Sequence, residues 1–263
     1  MRDNTSTLYH GDCLQMLELI PPETVDLIFA DPPYNLSNDG ITCSGGKMVS
    51  VNKGSWDRSL GVERDYDFHL KWLKACKRAL KSNGTLWVSG TYHSIYACGR
   101  AIQELGFHVL NDICWFKPNA SPNLSCRCFT ASHETLIWVR KNKKAKHTFN
   151  YQDMKKGNFT GDTLKVDGKQ MRSVWSIPYA PRTEKKFGKH PTQKPLKLLE
   201  RIILASSNFG DTVLDPFCGS GTTGVAATAL DRKFIGIEKE KRYLDLSYKR
   251  ISQISSVKNK KVA

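Results

Sequence analysis

The chain has 263 residues, 40% of them hydrophobic, and a formal net charge of +15. That length can bury the core of one large α/β domain, or of a domain carrying an inserted subdomain. So much positive charge argues against an enzyme confined to small neutral metabolites and for a polyanionic partner, because each neutralised phosphate releases a counterion.

Met1–Thr7 is polar with no apolar stretch behind it, and no run approaches the roughly 18 apolar residues of a membrane span. A helix is predicted over Leu14–Ile20, then a buried strand Val25–Ala30 that ends at Asp31. Asn35–Gly61, rich in Gly, Ser and Asn, reads as a long loop that closes over the substrate. Helix Tyr66–Leu80 follows, then the turn Ser82-Asn83-Gly84 leading into strand Thr85–Ser89. Helix Ser94–Leu105 is stopped by Gly106, and strands Phe107–Phe116 and Glu134–Arg140 come next. Lys141–Lys189 breaks the rhythm: it holds 13 Lys and Arg against four acidic residues, a net of +9, with six aromatics interleaved. It reads as an inserted nucleic-acid-contacting region. Beyond it are helix Leu196–Ser206 with Pro195 in its first turn, strand Thr212–Leu214, helix Thr222–Leu230, strand Phe234–Ile237 and helix Lys239–Ile254. The basic tail 255–263 is expected to fray. Alternating strands and helices imply a mostly parallel, twisted sheet covered on both faces. The eight cysteines show no even framework, and Cys126 and Cys128, one residue apart, fit no zinc spacing. They read as reduced thiols of a cytoplasmic protein.

Two motifs carry chemistry. Asp31-Pro32-Pro33-Tyr34-Asn35 directly follows a buried strand, at the edge where open α/β sheets bind ligands. Two prolines fix the backbone and remove two N–H donors, leaving a rigid hook whose Asp31 carboxylate and Pro32 carbonyl only accept. Acceptors of that kind suit an amino group on a nucleobase: they pull on its hydrogens and localise its nitrogen lone pair. Tyr34 offers an aromatic face to a flipped base, a contact worth roughly 1–3 kcal/mol. The second motif, Asp215-Pro216-Phe217-Cys218-Gly219-Ser220-Gly221-Thr222-Thr223-Gly224, follows a strand and opens a helix. Its glycines allow a sharp turn and close approach to a ligand. Glu238 ends the next strand, where a carboxylate can take both hydroxyls of an adenosine ribose. This loop alone does not separate NAD from S-adenosylmethionine.

Together and in this order, the two motifs resemble the permuted β class of N4/N6 DNA amino-methyltransferases of restriction-modification systems, from about Leu8 to Arg250. The overall pattern is similar to GATC-type adenine methylases. The resemblance implies a Rossmann-like, permuted methyltransferase fold: a catalytic half at 1–140, a target-recognition insertion at 141–189 and a cofactor half at 190–254. It implies S-adenosyl-L-methionine as cofactor, DNA as substrate, a homodimer and a cognate restriction endonuclease. Catalysis then falls to Asp31, Pro32, Pro33 and Tyr34. Cofactor binding falls to Asp12 and Cys13 in the Gly11-Asp12-Cys13 loop, to Asp31, to His190 and Thr192 in Lys189–Pro195, to Asp215, Phe217, Cys218, Gly219, Ser220, Gly221 and Thr222, and to Glu238. Trp115–Asn119 resembles the strand and loop flanking the target base, although its Phe116-Lys117-Pro118-Asn119 departs from the family's Lys-x-Asn-Pro order. Aspartate at the head of the hook favours adenine N6; cytosine-N4 enzymes more often carry serine there. RNA or protein amino-methyltransferases and a non-catalytic DNA-binding module remain rivals. A nicotinamide oxidoreductase leaves the hook unexplained. C5 methylation needs a Pro-Cys pair, and the chain has none.

Overall fold

The apolar runs assemble into one eight-stranded sheet in the computed structural model, which describes residues 5–37, 41–44, 47–50, 53–124, 126–157, 159 and 169–262. In chain order the elements are β1 (Ser6–His10), α1 (Cys13–Glu18), β2 (Val25–Ala30), β3 (Ile41–Ser44), β4 (Lys47–Ser50), α2 (Val62–Ala79), β5 (Leu80–Gly90), α3 (Ile95–Glu104), β6 (His108–Phe116), β7 (His133–Arg140), α4 (Tyr151–Lys156), β8 (Val174–Ser176), α5 (Leu196–Ser206), β9 (Thr212–Asp215), α6 (Thr222–Ala229), β10 (Lys233–Glu238) and α7 (Lys241–Val262). The sheet order is β1-β10-β9-β2-β5-β7-β6-β8. Every pairing in it is parallel except those of β7 with β5 and β6.

Both faces are covered, which is why Leu27–Ala30 of β2 and Leu86–Val88 of β5 are continuously apolar rather than alternating. On one face Leu17, Trp72, Leu73, Cys76 and Ile102 from α1, α2 and α3 pack on Ile28, Leu86 and Val88. On the other, Leu199, Ile202, Val225, Leu244 and Ile251 from α5, α6 and α7 pack on Leu27, Phe29, Val213 and Phe234. Among the described residues no helix is long and apolar enough to cross a membrane.

Several expectations need correction. Asn35–Gly61 is not wholly loop: β3 and β4 form a separate antiparallel hairpin within it, and Ser55–Asp57 makes a 3-10 turn. Ser82-Asn83-Gly84 is not a turn before a strand but a bulge inside β5, where Val25–Leu27 of β2 faces Leu80–Thr85. A Cβ on Gly84 would come within 2.8 Å of the Asp26 carbonyl, so the bulge needs glycine. Pro195 is the extended N-cap of α5 rather than a first-turn residue. The tail is helical rather than frayed, since α7 continues through Val262. The insertion contributes α4 and a strand, β8, that joins the main sheet.

Close packing around α6 gives a stability test. A Cβ on Gly224 would stand 2.6 Å from the Phe234 ring and collide with Ile251. Gly224→Ala is expected to cost about 1–3 kcal/mol of stability despite the better helix propensity of alanine, because overpacking outweighs it. Urea unfolding of the two proteins measures this, and a stabilised variant would contradict the packing.

Candidate active site

The carboxyl ends of β1, β10, β9 and β2 lie along one edge of the sheet, and the residues at and just beyond them line a single cleft. Gly11, Asp12 and Cys13 follow β1, Glu238 ends β10, Asp215–Cys218 follow from β9, and Asp31–Tyr34 follow β2. His190, Thr192, Gly219, Ser220 and Thr222 also line it. Of the residues predicted for cofactor or catalysis, only Gly221 does not. Gly221 is the left-handed N-cap of α6 (φ 75°), and a Cβ there would fall 2.8 Å from Ser247. It shapes the turn and the packing rather than the wall.

The glycine loop is fixed from several sides. Asp215 accepts hydrogen bonds from the Phe217 amide (2.9 Å) and the Thr223 hydroxyl (2.5 Å). Glu238 accepts from the Gly219 amide and the Glu240 amide, both at 2.8 Å, so the β10 carboxylate clamps the loop it faces. From α7, Ser247 donates to the Gly219 carbonyl (2.7 Å) and Arg250 donates to the Ser220 carbonyl (2.6 Å). Gly219 sits at φ 53°, and a Cβ on it would press on the His190 ring at 3.3 Å. His190 lies between Trp56 and Tyr243, with ring centroids 6.1 and 4.2 Å away. Burial, aided by Lys194 and nearby arginines, pushes its pKa down to about 3, so the ring is neutral at physiological pH. Cys218 is buried, and burial pushes its thiol far above the ordinary range, which fits packing and not nucleophilic chemistry.

The hook is braced by a residue from the Asn35–Gly61 segment. The Asp57 carboxylate, 1% exposed, accepts from the Tyr34 amide (2.9 Å), the Leu36 amide (3.1 Å) and the Ser37 hydroxyl (3.0 Å). Asn35 occupies the left-handed region at φ 59°, which asparagine tolerates. The Tyr34 ring is buried, its hydroxyl turned inward to Asp31 Oδ1 (2.6 Å), with Lys194 Nζ 5.0 Å from the ring centroid. Lys194 donates to Asp31 Oδ2 at 2.5 Å. Burial, joined by the negative Glu134, pushes the Asp31 carboxyl above its ordinary value, and Lys194 pulls against that push. Asp57, Lys194 and Glu134 were not predicted. The signals for two of them were present: Lys194 lies inside the Lys189–Pro195 segment already singled out, and Glu134 is a charge heading an apolar strand.

The cleft suits S-adenosylmethionine on its own chemistry. Among the described residues Gln193 Oε1 is buried in the wall with no partner, an acceptor able to meet an ammonium or hydroxyl. Phe217 and Ile237 give an apolar wall, and the Gly219 cradle has no room for a side chain.

Asp215 makes a pH test. Burial pushes its carboxyl from 3.8 up to about 7, against the pull of its Thr223 and Phe217 hydrogen bonds. Below 3.8 both folded and unfolded chains hold the proton; between 3.8 and about 7 only the unfolded chain ionises, so the native state loses stability as pH rises through that window. In urea unfolding, the stability of Asp215→Asn relative to wild type is expected to climb across the window and level off above it. A flat difference would contradict a proton-binding Asp215.

Comparison with known proteins agrees with this geometry. Residues 25–249 match the model of the N6/N4 methyltransferase family, described as DNA methylase. The chain is 53% identical over 247 residues to the type II methyltransferase M2.LlaDCHI of Lactococcus lactis subsp. cremoris, covering 94% of this chain and 89% of that one. It is 53% identical to M2.DpnII of Streptococcus pneumoniae, covering 94% and 90%. Among solved structures, the complex of M1.HpyAVI with SAM superposes with a TM-score of 0.68 at 30% identity, covering 94% of this chain and 98% of that one. The cytosine-N4-specific PvuII DNA methyltransferase shares the fold, with a TM-score of 0.72 at 23% identity, covering 97% and 92%. The protein therefore belongs to the N6/N4 DNA methylase family and is an S-adenosylmethionine-dependent DNA methyltransferase.

Proposed function

We propose that this methyltransferase modifies the exocyclic N6 of adenine, within a GATC-type site, as the methylating member of a type II restriction-modification system in the cytoplasm. The observation that carries the reading is Asp31: a carboxylate with both oxygens held by donors, on a proline-fixed hook, at the edge where β2 meets the cofactor half. The type II names of the relatives at 53% and 48% identity support the restriction-modification context and a cognate endonuclease as partner. Aspartate rather than serine at the head of the hook supports adenine over cytosine. The likeness to the cytosine-N4 enzyme, at 23% identity, bears on fold and not on base.

The chain's own groups then act as follows. When bound, S-adenosylmethionine supplies an electrophilic methyl on a sulfonium. The residues that would hold it are Glu238 for the ribose hydroxyls, Gln193 and Thr192 for the methionine end, and Phe217 as an apolar face for the adenine. The target base leaves the stack at a cost of a few kcal/mol. Asp31 and the Pro32 carbonyl accept the two amino hydrogens, which localises the nitrogen lone pair and aligns it with the methyl group. Asp31 is the nearest acceptor for the proton that nitrogen sheds as the new N–C bond forms. Residues 141–189, with a net charge of +9, hold the duplex by its phosphates and carry the recognition contacts.

The test is transfer from labelled S-adenosylmethionine to unmethylated genomic DNA, followed by nucleoside analysis. Label in N6-methyladenine is expected; label in N4-methylcytosine would overturn the choice of base. Asp31→Ala should lower turnover by about 10²-fold or more while cofactor affinity stays near wild type. Glu238→Ala should do the reverse, weakening the cofactor about tenfold or more with kcat preserved at saturation.

A further inference from the structure

Behind the hook lies a buried cluster of charges that amino methylation, as described, does not use. Lys194 bridges two carboxylates, standing 2.5 Å from Asp31 and 3.7 Å from Glu134. Glu134 is held on its far side by Lys117 at 3.1 Å. All three of these side chains outside the hook are under 10% exposed. They come from separate elements: Glu134 from β7, Lys117 from just past β6 and Lys194 from just before α5. Tyr34 Oη stands 2.6 Å from Asp31 Oδ1 and 2.9 Å from both Glu134 Oε2 and Ser89 Oγ, so one phenolic hydrogen faces two carboxylates.

A buried ion pair is a poor source of stability, because desolvation consumes most of the attraction. Two lysines and two carboxylates kept at and behind the cleft wall, none of them in the glycine loop, therefore need another account. The hook itself supplies it. Asp31 offers an acceptor at both oxygens only while ionised; protonated, one of them becomes an O–H donor, which an amino group that only donates cannot use. Its surroundings work against ionisation: it is buried, Glu134 faces it from β7, and Asp215 lies at the end of neighbouring β9. Among the described residues the single opposing charge in contact is Lys194, since Lys117 is taken by Glu134, Ser89 and Tyr34 are neutral, and His190 beside Lys194 is uncharged.

We propose that Lys194 is the positioning residue of this active site. Anchored through Glu134 to Lys117, it keeps Asp31 ionised and, with the Tyr34 hydroxyl, fixes the carboxylate plane so that each oxygen retains a lone pair for an amino hydrogen. Glu134 plays the complementary part, keeping Lys194 charged and in place at the cost of a second negative charge facing Asp31. Burial works against charge on Lys194, but Asp31 and Glu134 outweigh it and raise its pKa, while Lys194 and Lys117 hold Glu134 below the usual carboxylate range against burial.

The inference rests on the amino-methyltransferase reading of Asp31 and has its own test. The pH profile of kcat, at saturating S-adenosylmethionine on unmethylated genomic DNA, is compared for wild type, Lys194→Gln, Lys194→Arg and Glu134→Gln. In Lys194→Gln the acid limb should move to higher pH, so that neutral-pH activity falls about tenfold for each unit by which the limb passes neutrality and recovers in alkali. Lys194→Arg should restore the profile in part. In Glu134→Gln, which removes a negative neighbour, the limb should move to lower pH. Opposite displacements are not the result of general damage to the fold. An unchanged profile for Lys194→Gln, a loss uniform at all pH, or a raised cofactor KM with kcat and pH profile intact would each overturn the proposal. If Lys194→Gln does not fold, Glu134→Gln decides alone: a limb that stays in place or moves to higher pH sinks it. Should Asp31→Ala retain full activity, the parent reading fails; should Asp31→Ala be inactive and both limbs stay put, only this inference fails.

Discussion

The site depends on one strand pairing. β2 and β9 are joined in parallel through Leu27↔Val213 and Ile28↔Leu214, although more than half the chain separates them in sequence. That register brings Asp31, three residues past Ile28, and Asp215, one past Leu214, to the same edge of the sheet. The catalytic hook and the glycine loop thus form one cleft without an intervening linker. It also sets an electrostatic problem, because the negative Asp31 then adds to the burial that raises the Asp215 carboxyl. The chain resolves it differently at each. Asp215 keeps hydrogen bonds from Thr223 and Phe217 and a high proton affinity, as a structural acceptor beneath the loop. Asp31 is given a lysine.

This division explains why two lysines and two carboxylates are gathered around the hook. Replacing such a cluster by well-packed hydrophobic residues is often neutral or stabilising. The cluster is worth keeping where an acceptor must stay ionised in a dry wall. The groups that hold it stand on or next to sheet strands and α5, not on mobile excursions, so their geometry is preorganised in the way that positioning requires.

Most of the fold was legible because its strands are buried on both faces. Six of the eight strands in the sheet contain an apolar run that marks them, and the two missed are those where that signal fails. β1, Ser-Thr-Leu-Tyr-His, is a short edge strand of mixed polarity, and β8 has only three residues inside a basic segment. The hairpin of β3 and β4 escaped for the same reason, since Gly, Ser and Asn mask its period. The bulge at Ser82–Gly84 was mistaken for a turn because a turn and a wide bulge ask for the same residues. Cofactor-loop residues could be named from spacing, since the loop is local in sequence. Lys194, Glu134 and Asp57 could not: their partners lie 163, 100 (Tyr34 to Glu134) and 23 residues away, and only the sheet register brings them together.

The brace at Asp57 carries this reasoning one step further. Its carboxylate takes two amides and a hydroxyl of residues 34–37, so the Tyr34 and Leu36 amides just past the prolines are already engaged. Asp31 and Pro32 remain as acceptors on a segment whose donors are engaged elsewhere. Selectivity for an amino group over a carbonyl or ring nitrogen then follows from what the hook offers: acceptors, while the donors beside it, the Tyr34 hydroxyl and the Lys194 ammonium, are turned onto Asp31 and Glu134. The rigidity supplied by Pro32 and Pro33 preserves that arrangement, since neither residue can bring an N–H into the site by a change of conformation.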